Sequence, residues 1–155
     1  MRGLAWLPLL AACLALPPLL LAGDSGGRAE YIGGTVAALP SKTEGSIQLT
    51  SDDFFLFQSE KQTIRVRYDR INTLEYGQRV NRRYAEAVLI SPVLLLAKRR
   101  KHYLTVGYQD ENGEQQAMVF EVHKNAVRTL LVGLEARTGQ RIEYQDEEAR
   151  KAGKG

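Results

Sequence analysis

Apolar and polar residues alternate in short runs along most of the chain, and the clearest pattern lies in residues 102–139. Residues 102–108 alternate with period two, and so do residues 116–122, which predicts two β-strands. The segment between them, 110–113, reads Asp-Glu-Asn-Gly and contains residues that tolerate positive φ angles. The sequence therefore predicts an antiparallel hairpin in this part of the chain.

A helical pattern follows the hairpin. Four apolar residues recur at positions i, i+3, i+4 and i+7, which is the stripe of a helix that packs on a core through one face. They are Val127, Leu130, Leu131 and Leu134. We expect this helix to end at Thr138, because Gly139 readily takes the left-handed conformation at the residue after a helix.

Other short runs predict further strands at residues 45–50, 54–57, 63–68 and 71–76, a short strand at 35–39, and a last extension at 142–144. Short, regular spacing between strands is typical of an antiparallel meander that closes into a barrel or a sandwich. The predicted fold class is mainly β, with about seven antiparallel strands and one C-terminal capping α-helix. The strand residues expected to pack against the helix are Phe55, Phe57, Ile64, Val66, Val106 and Phe120.

The N-terminal segment carries an export signal. A short positive region precedes the apolar run 4–22, and small polar residues follow it, as in a secretory signal peptide. An uncleaved membrane anchor is a second interpretation, and a lipidated Cys13 within a Leu-Ala-Ala-Cys motif is a third. Each of the three predicts that the remaining chain is exported to the periplasm or cell envelope. Cys13 is the only cysteine, so no disulfide framework is expected.

The length of 155 residues leaves room for one domain. The predicted organisation is a signal peptide or anchor at 1–22, a linker at 23–32, a single domain at 33–144 and a charged flexible tail at 145–155. The net charge of +3 is small and gives only weak support for a polyanionic partner.

Three segments together resemble a bacterial pleckstrin-homology-like (PH/GRAM-like) domain of small exported proteins. They are residues 66–76, residues 101–108, and residues 119–122 running into the helix at 125–138. The resemblance implies a β-barrel capped at one end by the C-terminal helix, and binding to lipid headgroups or proteins without catalysis. The phosphoinositide site of eukaryotic members is not carried over, because the corresponding loop, at Asp52-Asp53 or near Pro40, is not basic.

The connection 79–101 is the main candidate for a functional surface. Seven basic residues against Glu86 alone give it a net charge of +6, compared with +3 for the whole chain. Basic clusters around an apolar stretch suit contact with an anionic membrane or a protein partner. In the alternative interpretation, residues 88–96 pack over an open end of the barrel, and the basic residues form a solvated rim or pair with Glu143, Asp146, Glu147 and Glu148. The candidate surface comprises Arg79, Arg82, Arg83, Leu94, Leu95, Leu96, Lys98, Arg99, Arg100 and Lys101.

A small hydrolase or metal-dependent enzyme that uses His102 and His123 is the least favoured alternative, because catalysis has little support in the sequence. His102 and His123 lie at the two ends of the predicted hairpin, where they would come close enough to share a metal ion or a proton. Two ligands make at best an incomplete metal site, so ordinary surface placement is the preferred interpretation. No nucleophile, phosphate-loop or metalloprotease motif is present. We therefore predict a non-catalytic binding or scaffolding module, with no cofactor, no metal and no nucleic-acid partner.

Overall fold

The structure is a computed structural model that describes residues 26–79 and 101–154. Within these ranges the strands form one eight-stranded sheet, accompanied by two α-helices. The strands are β1 (Gly27–Gly34), β2 (Thr43–Gln48), β3 (Phe54–Ser59), β4 (Thr63–Arg67), β5 (Ile71–Gly77), β6 (Tyr103–Gln109), β7 (Gln115–Val122) and β8 (Glu143–Tyr144). The helices are α1 (Val127–Thr138) and α2 (Glu147–Lys154), with 3-10 helices at Tyr68–Arg70 and Lys124–Ala126.

The sheet joins two antiparallel meanders. Its strand order is β4-β3-β2-β1-β7-β6-β5-β8, so the pairing of β1 with β7 connects the meander β1–β4 to the meander β5–β7. Every neighbouring pair is antiparallel except β5 and β8, which are parallel over two residues. The predicted hairpin is confirmed as β6 and β7, and Gly113 in its turn has a φ of 81°. We call β6 and β7 the central hairpin.

The core lies between one face of the sheet and α1. The four apolar residues predicted for the helix stripe are all buried, which confirms the helix and its orientation. Gly139 takes the left-handed conformation, with φ 70°, and its N–H bonds to the carbonyl of Glu135 at 3.0 Å, as expected at this position. Of the predicted strand residues in the core, Ile64 is partly buried and the others are fully buried.

The first strand corrects two predictions. Residues 27–34 form β1 in the middle of the sheet, so the proposed linker 23–32 does not hold over these residues. Residues 35–39, predicted as a short strand, instead form turns and bends after β1. Gly34 lies so close to β7 that an added Cβ would approach the Ala117 carbonyl oxygen at 2.3 Å. This glycine therefore marks close strand packing, which a sequence pattern does not distinguish from a bend.

The C-terminal end corrects two further predictions. The strand count is eight, since the predicted extension at 142–144 contributes β8, and residues 147–154 form α2 where a flexible tail was expected. Ala149 is fully buried, and its N–H donates to Asp146 Oδ1 at 2.7 Å. An added Cβ on Gly153 would lie 2.7 Å from the Tyr144 ring. Small residues thus let this short, highly charged helix pack closely.

Several predicted features lie outside the described residues. These are the N-terminal segment 1–22 with Cys13, and the part of the candidate basic surface from Arg82 to Arg100. In the part of the chain that the structure describes, no helix is long and apolar enough to cross a membrane.

The helix face of α1 gives a direct test of the core. Leu130 is 0% exposed, whereas Val132 on the same helix is 60% exposed. Replacing Leu130 by Ala should lower the free energy of unfolding by about 2–5 kcal/mol, because it removes buried surface and leaves a cavity. Replacing Val132 by Ala should change it by less than about 0.5 kcal/mol. Urea unfolding measures both values, and equal losses in the two variants would contradict this packing.

Candidate functional site

Three glutamates stand side by side on the face of the sheet opposite to the core. Glu30 on β1 is directly opposite Glu44 on β2 and also directly opposite Glu121 on β7. Opposite residues in an antiparallel sheet point to the same face, with Cβ atoms about 4.5–5.5 Å apart. Glu30 and Glu121 are half-buried and Glu44 is exposed. We call these three residues the carboxylate row.

The carboxylate row lines a shallow groove of about 270 Å³. Arg28, two residues from Glu30 on β1, and His123, two residues from Glu121 and just past the end of β7, border the same groove, and the His123 N–H bonds to the Arg28 carbonyl at 3.1 Å. Because the lining residues are held by strand pairing, the positions of their backbone atoms are fixed before any ligand arrives. The groove is thus a preorganised polar surface at the open end of the central hairpin.

One end of the carboxylate row already holds a cation. Lys101 Nζ lies 2.7 Å from Glu121 Oε2, and this hydrogen bond is the main reason that the pKa of Lys101 is raised. The Lys101 side chain is 38% exposed and that of Glu121 is 22% exposed. Solvent screening therefore limits this pair to about 1 kcal/mol or less. No residue of the described ranges forms an ion pair with Glu30 or Glu44.

Tyr103 adds a buried hydroxyl beside the carboxylate row. It lies on β6 directly opposite Glu121 and is 4% exposed. Its hydroxyl is buried and has no hydrogen-bond partner. Burial raises the pKa of Tyr103 most; Glu121 and Glu30 raise it further, and Lys101 lowers it. Tyr103 and Glu121 are therefore direct neighbours on the face that carries the row.

The two histidines lie on opposite faces of the sheet. The Tyr76 hydroxyl is 2.5 Å from His102 Nδ1 on the core side, and it donates to that nitrogen when the neutral ring carries its proton on Nε2. The His123 ring borders the groove on the other side. The hypothesis of a metal ion or proton shared between the two rings is therefore wrong, although the two ends of the central hairpin do meet through a Val122 N–H bond to the His102 carbonyl at 2.7 Å.

The environment of His102 disfavours its charged form. Burial is the main cause of its lowered pKa, Lys124 lowers it further, and Glu121 raises it. Burial also raises the pKa of Tyr76 to about 12, so this hydroxyl remains protonated at any physiological pH. The pair therefore joins β5 to the start of β6 as a neutral hydrogen bond.

A second groove, of about 440 Å³, lies beside β4 but offers less to a ligand. Two of its three arginines, Arg67 and Arg70, are already engaged: Arg67 pairs with Asp69 at 2.8 Å, and Arg70 donates to the Asp110 carbonyl. The Arg67 guanidinium also lies 5.9 Å from the centre of the Phe54 ring. Acidic residues border this groove as well, which offsets its positive charge.

Only the two ends of the predicted basic surface are described. Arg79 is exposed in the bend after β5, and Lys101 is paired with Glu121. Lys101 thus contacts the central hairpin and not the C-terminal carboxylates that were considered as its alternative partners. The carboxylate row could not be predicted from the sequence, because Glu30 and Glu44 join Glu121 in one row only once β1 is placed beside β7. The available signal was the alternation of apolar and charged residues in 28–31.

Metal binding and known families provide no further assignment. Within residues 26–79 and 101–154, no group of three or more His, Cys, Asp or Glu residues is arranged to hold a metal ion. No protein-family model matches the chain, and a search of curated proteins finds no match.

The lowered pKa of His102 predicts a pH dependence of stability. Since the folded state protonates His102 less readily than the unfolded state, whose pKa is about 6.5, the unfolded state takes up more protons as the pH falls. The contribution of neutral His102 to the free energy of unfolding is complete above about pH 6.5. It is lost as the pH falls through the lower pKa of His102 in the folded state.

Unfolding free energies measured from pH 8 to pH 5 should show this loss in the wild type, and the loss should be smaller in the variant His102→Gln. The variant His123→Gln, altered at the exposed second histidine, is the control and should keep the wild-type slope. Identical slopes in the wild type and His102→Gln would contradict the prediction.

Proposed function

We propose that this chain is a non-catalytic binding module, exported to the cell envelope, that holds a protein partner against the carboxylate row. The N-terminal sequence supports export, and the resemblance to PH-like domains supports a binding role. A single sheet closed over its core by α1 provides a rigid scaffold for such a role. The groove at the carboxylate row supplies the contact surface.

The like charges in the carboxylate row are the observation that carries this proposal. Directly opposite residues of equal charge destabilise a sheet, and Glu30 has such a neighbour on both sides. Lys101 compensates Glu121 at one end, but Glu30 and Glu44 form no ion pair within the described residues. Local arrangements that cost stability are most often found at functional sites.

The shape of the groove favours a protein partner over a small molecule. Its volume of about 270 Å³ falls below the range of about 300–1,000 Å³ that is usual for small-molecule pockets. It is also shallow, so a bound group would remain partly exposed. We therefore expect the groove to receive one or two side chains of a larger contact, whose central residues supply most of the affinity.

Removal of one like charge should make the fold more stable. In the variant Glu30→Gln the repulsion with Glu44 and Glu121 disappears, and the free energy of unfolding should rise by about 0.2–1 kcal/mol. The control is Glu60→Gln, an exposed residue in the turn after β3, which should change stability by less than about 0.5 kcal/mol. A loss of stability in Glu30→Gln would contradict the functional interpretation of the row.

Site-specific crosslinking tests the binding role itself. A photoreactive amino acid at Ser46, on the same face as Glu44 and two residues along β2, keeps all three carboxylates in place. In cells that produce the full-length chain, this position should form an adduct with a protein, and Glu30→Gln should reduce it. The exposed position Lys61, in the turn before β4, is the matched control. Equal crosslinking at both positions, or none at either, would contradict the proposed function.

A further inference from the structure

We infer that the carboxylate row binds a primary ammonium group, carried by a lysine side chain of a partner segment, and that the Tyr103 hydroxyl completes this site. The inference rests on the proposed function and adds to it the chemical class of the group that is bound. It draws on two independent observations, an ammonium group already held at one end of the row and a buried hydroxyl without a partner.

Lys101 shows which group the row accepts. Its ammonium nitrogen lies 2.7 Å from Glu121 Oε2, a distance typical of a charge-assisted hydrogen bond. Lys101 lies two residues before Tyr103 in the chain. Its side chain therefore reaches diagonally across the hairpin to Glu121. An ammonium group from a partner would find the same type of acceptor on Glu30, the next carboxylate in the row.

Tyr103 is the second observation. Most buried polar side-chain atoms have a hydrogen-bond partner, but three buried tyrosine hydroxyls of the described residues have none. Tyr31 and Tyr68 belong to the core cluster, so Tyr103 carries the one unpartnered hydroxyl among them on the face of the carboxylate row. This hydroxyl lies on the same face as Glu121 and is influenced by Glu121, Lys101 and Glu30. Lys101 extends across to Glu121 beside Tyr103. We expect an incoming ammonium group to replace Lys101 at Glu121, to expose the Tyr103 hydroxyl, and to donate a hydrogen bond to that hydroxyl.

The geometry favours an ammonium group over a guanidinium group. An ammonium nitrogen has three hydrogen-bond donors that spread around one point, whereas a guanidinium group is flat and pairs best with both oxygens of one carboxylate. Glu30, Glu121 and Tyr103 offer three acceptors from three neighbouring strands. These acceptors lie in one row across the sheet, so a cation between them meets single acceptors from different residues and not both oxygens of one carboxylate, which fits the first pattern. Arg28 and Lys101 offset part of the negative charge of the site. We therefore expect the binding affinity to depend on the positions of the three acceptors more than on the net charge.

The inference is tested by calorimetric titration of the purified full-length chain at physiological salt. The probe is an acetylated, amidated tetralysine peptide, compared with a tetraarginine peptide of equal charge and with spermidine, a free polyamine. Four variants are titrated in parallel: Glu30→Gln, Tyr103→Phe, Lys101→Met and the surface control Glu60→Gln. Thermal unfolding of each variant is recorded first.

The expected result has three parts. Tetralysine binds more tightly than tetraarginine and spermidine, and Glu60→Gln leaves its affinity unchanged. Glu30→Gln and Tyr103→Phe each weaken binding by about tenfold, the usual effect of one lost hydrogen bond to a charged group. Lys101→Met, which removes the internal competitor but keeps an apolar stem, strengthens binding severalfold. Tyr103→Phe should unfold at the wild-type temperature or higher, because the hydroxyl it lacks has no partner in the unliganded protein.

Other results would overturn the inference. Unchanged affinity in Tyr103→Phe, or equal losses in Glu30→Gln and Glu60→Gln, would mean general charge attraction without a defined site. Equal affinity for tetraarginine would contradict selectivity for ammonium, and tighter binding of spermidine would identify a free polyamine as the source of the group. If tetralysine does not bind while crosslinking at Ser46 persists, this inference fails and the proposed function stands.

Discussion

The pairing of β1 with β7 is the contact on which the rest of the structure depends. It joins the two meanders into one sheet, and its register decides which residues face the core. Tyr31 lies opposite Phe120, and their rings meet edge to face with centroids 5.8 Å apart. The next residues along, Glu30 and Glu121, lie opposite each other on the other face. A slip of one residue would exchange these two sets, so the core fixes the carboxylate row in place.

The candidate site is therefore a consequence of core packing. Its residues need no special loop, because strand register alone sets their spacing, and Gly34 permits the close approach of β1 to β7. This differs from sites built on loops, whose geometry depends on additional contacts. It also explains why the groove is shallow, since a sheet face offers a row of side chains and no deep cavity.

The features that sequence analysis predicted correctly depend on local patterns. The stripe of α1 and the alternation of the central hairpin repeat within a few residues, and local periodicity is what a single sequence displays. β1 was not predicted, because Gly33 and Gly34 are atypical of a strand interior and their partners on β7 lie more than eighty residues further on. α2 was missed because its packing depends on the small residues Ala149 and Gly153, which carry little periodic signal. The carboxylate row combines β1 and β2 with β7, which is distant in the sequence, so it could not be recognised until all three strands were placed.

Two unfavourable features occur at the same place, and their coincidence argues for a role in recognition. Neighbouring like charges oppose folding, and so does a buried hydroxyl without a partner. Each could be removed by a single substitution, Glu30→Gln or Tyr103→Phe, that leaves the core untouched. One cation bound between these groups would compensate both at once, by neutralising the charges and by supplying the missing hydrogen bond. A partner that binds only the folded chain would then stabilise it through the same contacts that disfavour the unliganded fold.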